Sequence, residues 1–542
     1  MSDRATMWRD IGILTALALV VRVVAAWPVP FPPHVDAAYY TMVAEQLATG
    51  NGFTAPALWS FLEVGGRLPA DPGLPVPSNA HWMPMPAIVA AASMAIFGPD
   101  WRAGQAPMIL LSTLLVPMTY LGGRLVFGSR RIAIIGAVLA VAAGPLLLMY
   151  PMVESFAVFG VFGAGALLAS IRAVDAPRPG PWLVVAGAAA GLASLTRIDG
   201  ALLTLAPATA WLIRRPFSGG GYGSVPAAFG WGMASAAAFL VVVAPWLLRN
   251  VGVFGTALPS PGDRMVWIRD YNEHLSIGLE LTFDRYLAWG APAIVLSKLW
   301  AAVEVSGRTL GLLGGVFGLS FAAGLWHFRR HARLAPFAVY FVAMLAAMVL
   351  VFTEHAPKGA FLHTAPAWLP IALPLGVAGM APMATWAGRA WPFLRRPATH
   401  RFLEVVGVAG AVVLAVAGAM SLLGPWQVRA ERHEEAASFL ADAADPDDVV
   451  LAGDSSSLYL LTGLRGVATP FDPFEVLGEI VDAYGVDWVV VVLDDGATRD
   501  PLGLWDGARG VDSTGARPGF LPAAPTFEAE GVRVFEVRDS GG

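Results

Sequence analysis

The sequence predicts a polytopic α-helical membrane protein of about 11 transmembrane helices, followed by a small α/β domain outside the membrane. Three observations carry that expectation. Hydrophobic residues make up 56% of the 542 residues and charged residues only 14%. Apolar runs long enough to span a bilayer recur up to about residue 424, and water could not solvate so much apolar surface. Arginine clusters fall between these runs in an order that keeps them on one side of a membrane. From residue 425 onward the long apolar runs stop and the net charge is −14, against −5 for the whole chain, so the preceding part is net positive. The expected division is therefore residues 1–424 in the membrane and residues 425–542 in a soluble domain.

The composition also excludes classes of function. No basic patch is interleaved with aromatics, which argues against a nucleic-acid partner. Cysteine is absent, which removes disulfides, iron–sulfur clusters and thiolate zinc sites. No phosphate-binding loop or dinucleotide fingerprint is present, so ATP-driven transport lacks a motor.

Taken in order, Arg4 and Arg9 precede an apolar run over residues 11–27. The run is long, contains Arg22 and ends in WPVPFPP, as expected of an uncleaved signal-anchor. A long external loop follows over residues 28–105. Within it, residues 85–97 are apolar but too short to cross, and read as an interfacial helix. Segments 106–127 and 132–150 hold Arg124, Arg130 and Arg131 inside, and the turn between 150 and 156 carries Glu154 outside. Segment 156–174 returns inward. Residues 182–213 are interrupted by TRIDG at 196–200, which predicts a hairpin of two short helices before Arg214 and Arg215. Segment 225–248 leads to a second external loop, 249–304. Segments 307–326, 334–352, 362–380 and 402–423 complete the set, with HFRRHAR and GRAWPFLRRPATHR held inside. This threading predicts a multi-pass plasma-membrane protein with the N-terminus cytoplasmic and residues 425–542 extracytoplasmic. In that last region DVVLAGD, VDWVVVVL and VRVFEVR read as strands, and EEAASFLADAA and FEVLGEIVDAYG as helices.

Charges tied to apolar helix ends are the informative ones, because an unpaired charge there is costly. Asp36 precedes a helical-looking AAYYTMVAEQLATG. It is either the N-cap of that helix or a carboxylate at the membrane face able to act as general base. Glu154 is either a loop acid or a second carboxylate of the same site. Arg197 and Asp199 either neutralise each other, or Arg197 grips a phosphate. Arg22 and Lys358 are the other candidate phosphate contacts. His34, Tyr39, Tyr40, His81, Arg269, Tyr271, His274, His355 and His363 are candidates to line a cavity. Glu354, His355 and His363 do not follow a zinc-ligand spacing, so no metal is expected at that turn. GDSSS at 453–457 would need a histidine base downstream for hydrolysis, and the last histidine is His433, upstream.

The order of these features resembles the GT-C superfamily of integral membrane glycosyltransferases, most nearly the family 39 and aminoarabinose-transferase-like bacterial enzymes. The likeness rests on the first helix with Arg22, the loop HVDAAYYTMVAEQLATGNGFT, HWMPMPAIVAAASMAIFG, the GGRLVFGSRRIA turn, GLASLTRIDG and HTAPAWLPIALPL, and covers most of residues 1–390. The resemblance implies a sugar donor linked to a polyprenyl phosphate, bound in a cavity opening to the outer face. It implies that Asp36 is the hallmark acid of the first external loop and Glu154 a second recurring acid. The expected reaction is inverting transfer to a glycan, lipid or protein of the cell envelope, with Asp36 as general base. Arg22, Arg197 and Lys358 would meet the phosphate. No cofactor is implied with certainty, and a divalent cation is the one left open. A polysaccharide polymerase or ligase, a lipid-carrier flippase and a non-catalytic scaffold are the alternatives.

Overall fold

The apolar runs become helices whose ends follow the local sequence. Asp100, Ser129 and Ser224 each accept a hydrogen bond from a backbone N–H of the first turn, and Gly128 and Gly255 end helices in the left-handed conformation. The computed structural model describes residues 3–218, 221–259, 264–493 and 519–537. Its helices are α1 (Asp3–Ala26), α2 (Val35–Ala48), α3 (Met85–Phe97), α4 (Trp101–Phe127), α5 (Arg130–Ala142), α6 (Ser155–Ala173), α7 (Pro179–Ser194), α8 (Leu205–Ile213) and α9 (Val225–Phe254). They continue with α10 (Phe283–Leu287), α11 (Ala291–Leu312), α12 (Val316–His327), α13 (Ala335–Ala346), α14 (Phe361–Ala387), α15 (Pro397–Ala443), α16 (Ser455–Thr462) and α17 (Phe474–Tyr484).

Among the described residues six helices are long and apolar enough to cross a membrane, or seven if the bent α11–α12 pair is one span. The expected count of about 11 takes residues 132–150 as one crossing. They instead hold the 13-residue α5 and a 3₁₀ turn at Gly144–Leu146. Residues 182–213 are divided as expected, into most of α7, a 3₁₀ segment at Ile198–Thr204 and α8, with the break at the TRIDG stretch.

The second external loop needs correction. Helix α9 runs to Phe254 and α11 starts at Ala291, so the connection is shorter than residues 249–304. The expected span 307–326 is broken in its middle, where α11 and α12 meet at 108°. The physical cause is the Gly314–Gly315 pair, at φ +74° and +68°, a conformation that ends a right-handed helix.

Helix α14 is the central post. Most of its residues are buried, including Trp368, and it packs against α4, α5, α6 and α12. Glycines let the backbones approach closely: a Cβ on Gly122 would lie 2.7 Å from the Pro370 carbonyl oxygen, and one on Gly163 would lie 2.4 Å from the Ala367 Cβ. Small residues at helix contacts serve this purpose where lipid removes the hydrophobic drive to associate.

The strands are β1 (Thr54–Ala55), β2 (Ala57–Leu58), β3 (Val76–Pro77), β4 (Val449–Ala452), β5 (Arg465–Ala468), β6 (Trp488–Val492), β7 (Phe527–Ala529) and β8 (Val532–Glu536). A six-stranded sheet runs β2-β5-β4-β6-β8-β7, parallel from β2 to β6 and antiparallel beyond. Its outer strand β2 comes from the first loop and pairs Ala57 with Gly466 and Leu58 with Val467, partners 409 positions apart in the chain. Helix α15 continues through Pro425, where the sequence suggests a domain boundary, and carries the chain from the apolar helices into this sheet without a break.

Candidate active site

Three helix N-termini meet below the sheet. At the start of α2 the cap is His34, not Asp36: His34 Nδ1 accepts the Ala37 N–H at 3.5 Å. That bond leaves the imidazole proton on Nε2, which lies 3.6 Å from Glu154 Oε2. Asp36 occupies the second helical position, where the helix dipole favours an anion. Glu154 stands immediately before α6 and is 1% exposed. His363, in the first turn of α14, places Nδ1 3.2 Å from Glu154 Oε1 and 2.9 Å from Ser155 Oγ, and its ring stacks on Phe156. Among the described residues neither carboxylate oxygen of Glu154 has a hydrogen bond. One ligating atom from each of Asp36, Glu154 and His363 lies within 4.8 Å of the others.

A buried carboxylate with no hydrogen bond is an expensive feature. Burial, reinforced by the Asp36 carboxylate, pushes the Glu154 carboxyl well above the usual carboxylate range. Two arrangements relieve that cost: a proton on the acid, or a cation between the three groups. The donor set fits a divalent cation, with two oxygens and one imidazole nitrogen already converged.

These groups open into a cavity of about 750 Å³. One wall is aromatic: Trp59 and Trp82 stack at 3.7 Å between centroids, and Tyr40 stacks on Trp82 at 5.6 Å. Glu63 fixes that wall from behind, accepting Trp59 Nε1–H at 3.0 Å, Ala80 N–H at 2.7 Å and His81 N–H at 3.2 Å. A second wall holds Tyr271, His274 and His355 in a triangle of ring contacts. Burial lowers His355 to about 4 and His81 to about 3, so both are neutral at pH 7. Arg197 lines the cavity and forms a two-point pair with Asp199, both contacts at 3.1 Å. Lys358 lies on the exposed rim.

The third wall comes from residues 425–492. The C-terminal ends of β4, β5 and β6 face the cavity through Gly453, Thr469 and Val492, with Trp426, Arg429 and His433 of α15 beside them. Arg429 ties this wall to the first loop, bonding Asp454 and the Pro32 carbonyl. Ser455 Oγ donates across this interface to Leu58 O at 2.8 Å, while Ser457 Oγ donates to Asp454 at 2.6 Å within the GDSSS turn.

Most of the residues singled out in the sequence line this one cavity: His34, Asp36, Tyr40, His81, Glu154, Arg197, Tyr271, His274, His355, Lys358 and His363. Three do not. Arg22 is fully buried elsewhere, donating to Val141 O at 2.9 Å and Ala140 O at 2.8 Å, and lies over the Tyr150 ring. It satisfies the last carbonyls of α5 and is not placed to meet a donor phosphate. Tyr39 faces inward, its hydroxyl accepting the Asn79 N–H at 2.7 Å. Arg269 reaches the Arg285 carbonyl at the edge of the second loop. Of the stretch from Glu354 to His363, only His363 joins the two converged carboxylates. Trp59, Trp82, Trp426 and Arg429 were not singled out in the sequence, and His433 and Asp454 of GDSSS were weighed there only for hydrolysis. The adjacency of Trp82 to His81 is the one local signal that pointed to any of them.

A sequence profile of the family described as dolichyl-phosphate-mannose-protein mannosyltransferase matches residues 77–248. No curated protein sequence matches the chain. Among solved structures, ArnT from Cupriavidus metallidurans is similar in its apo state, with a TM-score of 0.58 at 15% identity over 98% of both chains. The same protein bound to undecaprenyl phosphate gives a TM-score of 0.57 over the same shares. The Archaeoglobus fulgidus oligosaccharyltransferase, in complex with Zn and sulfate, aligns with a TM-score of 0.59 at 13% identity, over 97% of this chain and 73% of its own. The chain has the GT-C fold. Family match and fold agree on a membrane glycosyltransferase of that superfamily, with apolar helices crossing the bilayer more than once.

Proposed function

We propose that the chain transfers a sugar from a polyprenyl-phosphate donor to an acceptor hydroxyl, with inversion at the anomeric carbon, on the outer side of the plasma membrane. The observation that carries this reading is the convergence of Asp36, Glu154 and His363 at the floor of the cavity. It is supported by ArnT, the similar structure bound to undecaprenyl phosphate. Orientation follows the arginine clusters, with the N-terminus inside and residues 425–542 outside.

In this mechanism Asp36 accepts the proton of the acceptor hydroxyl as the oxygen attacks the anomeric carbon. The sugar–phosphate bond breaks on the opposite face and polyprenyl phosphate departs with the bonding electrons. A phosphate monoester leaves as an anion, so cations at the leaving oxygen serve better than a proton donor. Arg197, oriented by Asp199, and Lys358 at the rim supply them. Arg22 has no part in this step. Trp59, Trp82 and Tyr40 offer flat apolar faces against which a sugar ring stacks. Asp36, Glu154 and His363 would hold a divalent cation, whose charge would steady the phosphate. His34 and Ser155 then orient the acid and the imidazole beside it.

The test is transfer from a radiolabelled polyprenyl-phosphate sugar by the purified chain, with cell-envelope acceptors. Asp36→Asn is expected to lower transfer by about 10² to 10⁴-fold while thermal unfolding stays unchanged. Equal transfer by the variant would remove Asp36 as base. Movement of the lipid across vesicles without sugar transfer would instead support a flippase.

A further inference from the structure

A second cavity, of about 680 Å³, lies at the other end of α6 from Glu154 and is lined by Asp175, Arg214, Arg215, Gly221, His331 and Arg333. Helix α6 has 19 residues, which at 1.5 Å per residue is roughly 28 Å, about one hydrocarbon thickness. The two cavities therefore sit at opposite faces of the same bilayer. The second is strongly cationic. Its one carboxylate, Asp175, is already engaged by Arg172 at 3.3 Å and by Arg333. Among the described residues no carboxylate pairs with Arg214 or Arg215.

Arg214 donates to Val174 O at 3.2 Å and Ala176 O at 3.3 Å, yet its Nε is buried without a partner. Gly221, at φ +70°, lets the chain close over that guanidinium, since a Cβ there would stand 2.2 Å from Arg214 Nη2. Arg215 is exposed and held at φ +52°, where a side-chain-bearing residue is uncommon. The surroundings point to lipid and not to a soluble anion. Trp211, Phe217 and Phe229 form a cluster with centroids 5.3–5.9 Å apart. They flank the two arginines in sequence, with Phe217 71% and Phe229 41% exposed. Exposed aromatics of this kind sit at the headgroup level of a bilayer.

We propose that this cavity binds the phosphate headgroup of an anionic phospholipid, at the face opposite the candidate active site. Guanidinia suit a phosphate because their planar N–H groups match its oxygens, and a cationic pocket between helix ends concentrates anionic headgroups. The experiment is native mass spectrometry of the full chain in detergent, titrated separately with phosphatidylglycerol, phosphatidylcholine and inorganic phosphate. Phosphatidylglycerol is expected to be retained in preference to phosphatidylcholine. Arg215→Gln, a change at an exposed side chain, is expected to lower that retention about five-fold. Gly221→Ala, which displaces Arg214, should lower it as well. Equal retention of the two lipids, or wild-type retention by Arg215→Gln, would overturn the proposal. Displacement of bound phosphatidylglycerol by inorganic phosphate at comparable concentration would overturn the lipid source and leave a free-phosphate site.

Discussion

At the C-terminal end of α6 Asp175 is bracketed by Arg172 and Arg333, and both guanidinia are a third or more exposed, at 39% and 38%. At the N-terminal end Glu154 is 1% exposed, lies beside two imidazoles and a second carboxylate with the Arg197 guanidinium acting on it from further off, and accepts no hydrogen bond among the described residues. The two acids flank one helix of 19 residues. The difference separates an acid paired directly by two guanidinia from a buried one that Arg197 compensates only in part. A fold tolerates the second arrangement where a proton, a cation or a substrate completes it.

Three measurements would break or sharpen that contrast. The largest effect is expected for Glu154→Gln, which should reduce sugar transfer by about 100-fold or more. It should also abolish any thermal stabilisation by Mg²⁺, Mn²⁺ or Zn²⁺; stabilisation that persists in the variant would place the cation elsewhere. An intermediate effect is expected from pH. His81 and His355, lowered to about 3 and about 4, stay neutral in the folded chain while unfolded imidazoles protonate below about 6.5. The unfolded state then binds more protons, so stability should fall as pH drops from 6.5 toward 4. The slope is at most about 1.4 kcal/mol per pH unit for each histidine, reduced by solvent at the cavity. Thermal unfolding of His81→Gln/His355→Gln against wild type reads this directly, and an unchanged slope would exclude these two groups. The smallest effect is expected for Asp175→Asn, about 1 kcal/mol or less in stability, because its partners are solvent-screened. Transfer activity should not change; a loss of activity there would mean that the two ends of α6 are coupled.

The candidate site was partly legible because its members sit at helix ends, where a charged residue beside an apolar run stands out. Asp36, Glu154, Arg197 and Lys358 were visible for that reason, while His363 was named only as a cavity-lining candidate. Arg22 met the same criterion and is structural, because the sequence does not reveal that the carbonyls of Ala140 and Val141 end a helix beside it. The N-cap offers the same lesson in reverse. An aspartate before a helix is a strong capping signal, yet His34 takes the cap and Asp36 enters the cavity.

By itself the sequence determined a helical membrane chain, the break at TRIDG and the resemblance to lipid-dependent glycosyltransferases, all properties of local hydropathy, charge order and motif. Only the tertiary structure decided that Ala57–Leu58 completes the sheet built from residues 449–536, and that Arg429 and His433 wall the same cavity as Asp36. It also decided that the run at 307–326 breaks at Gly314 and Gly315. The first two are contacts between segments hundreds of residues apart, and the third is a glycine pair inside an otherwise apolar run. Periodicity along the chain carries no signal for either, since it reports which face of an element is apolar and not which partner will cover it.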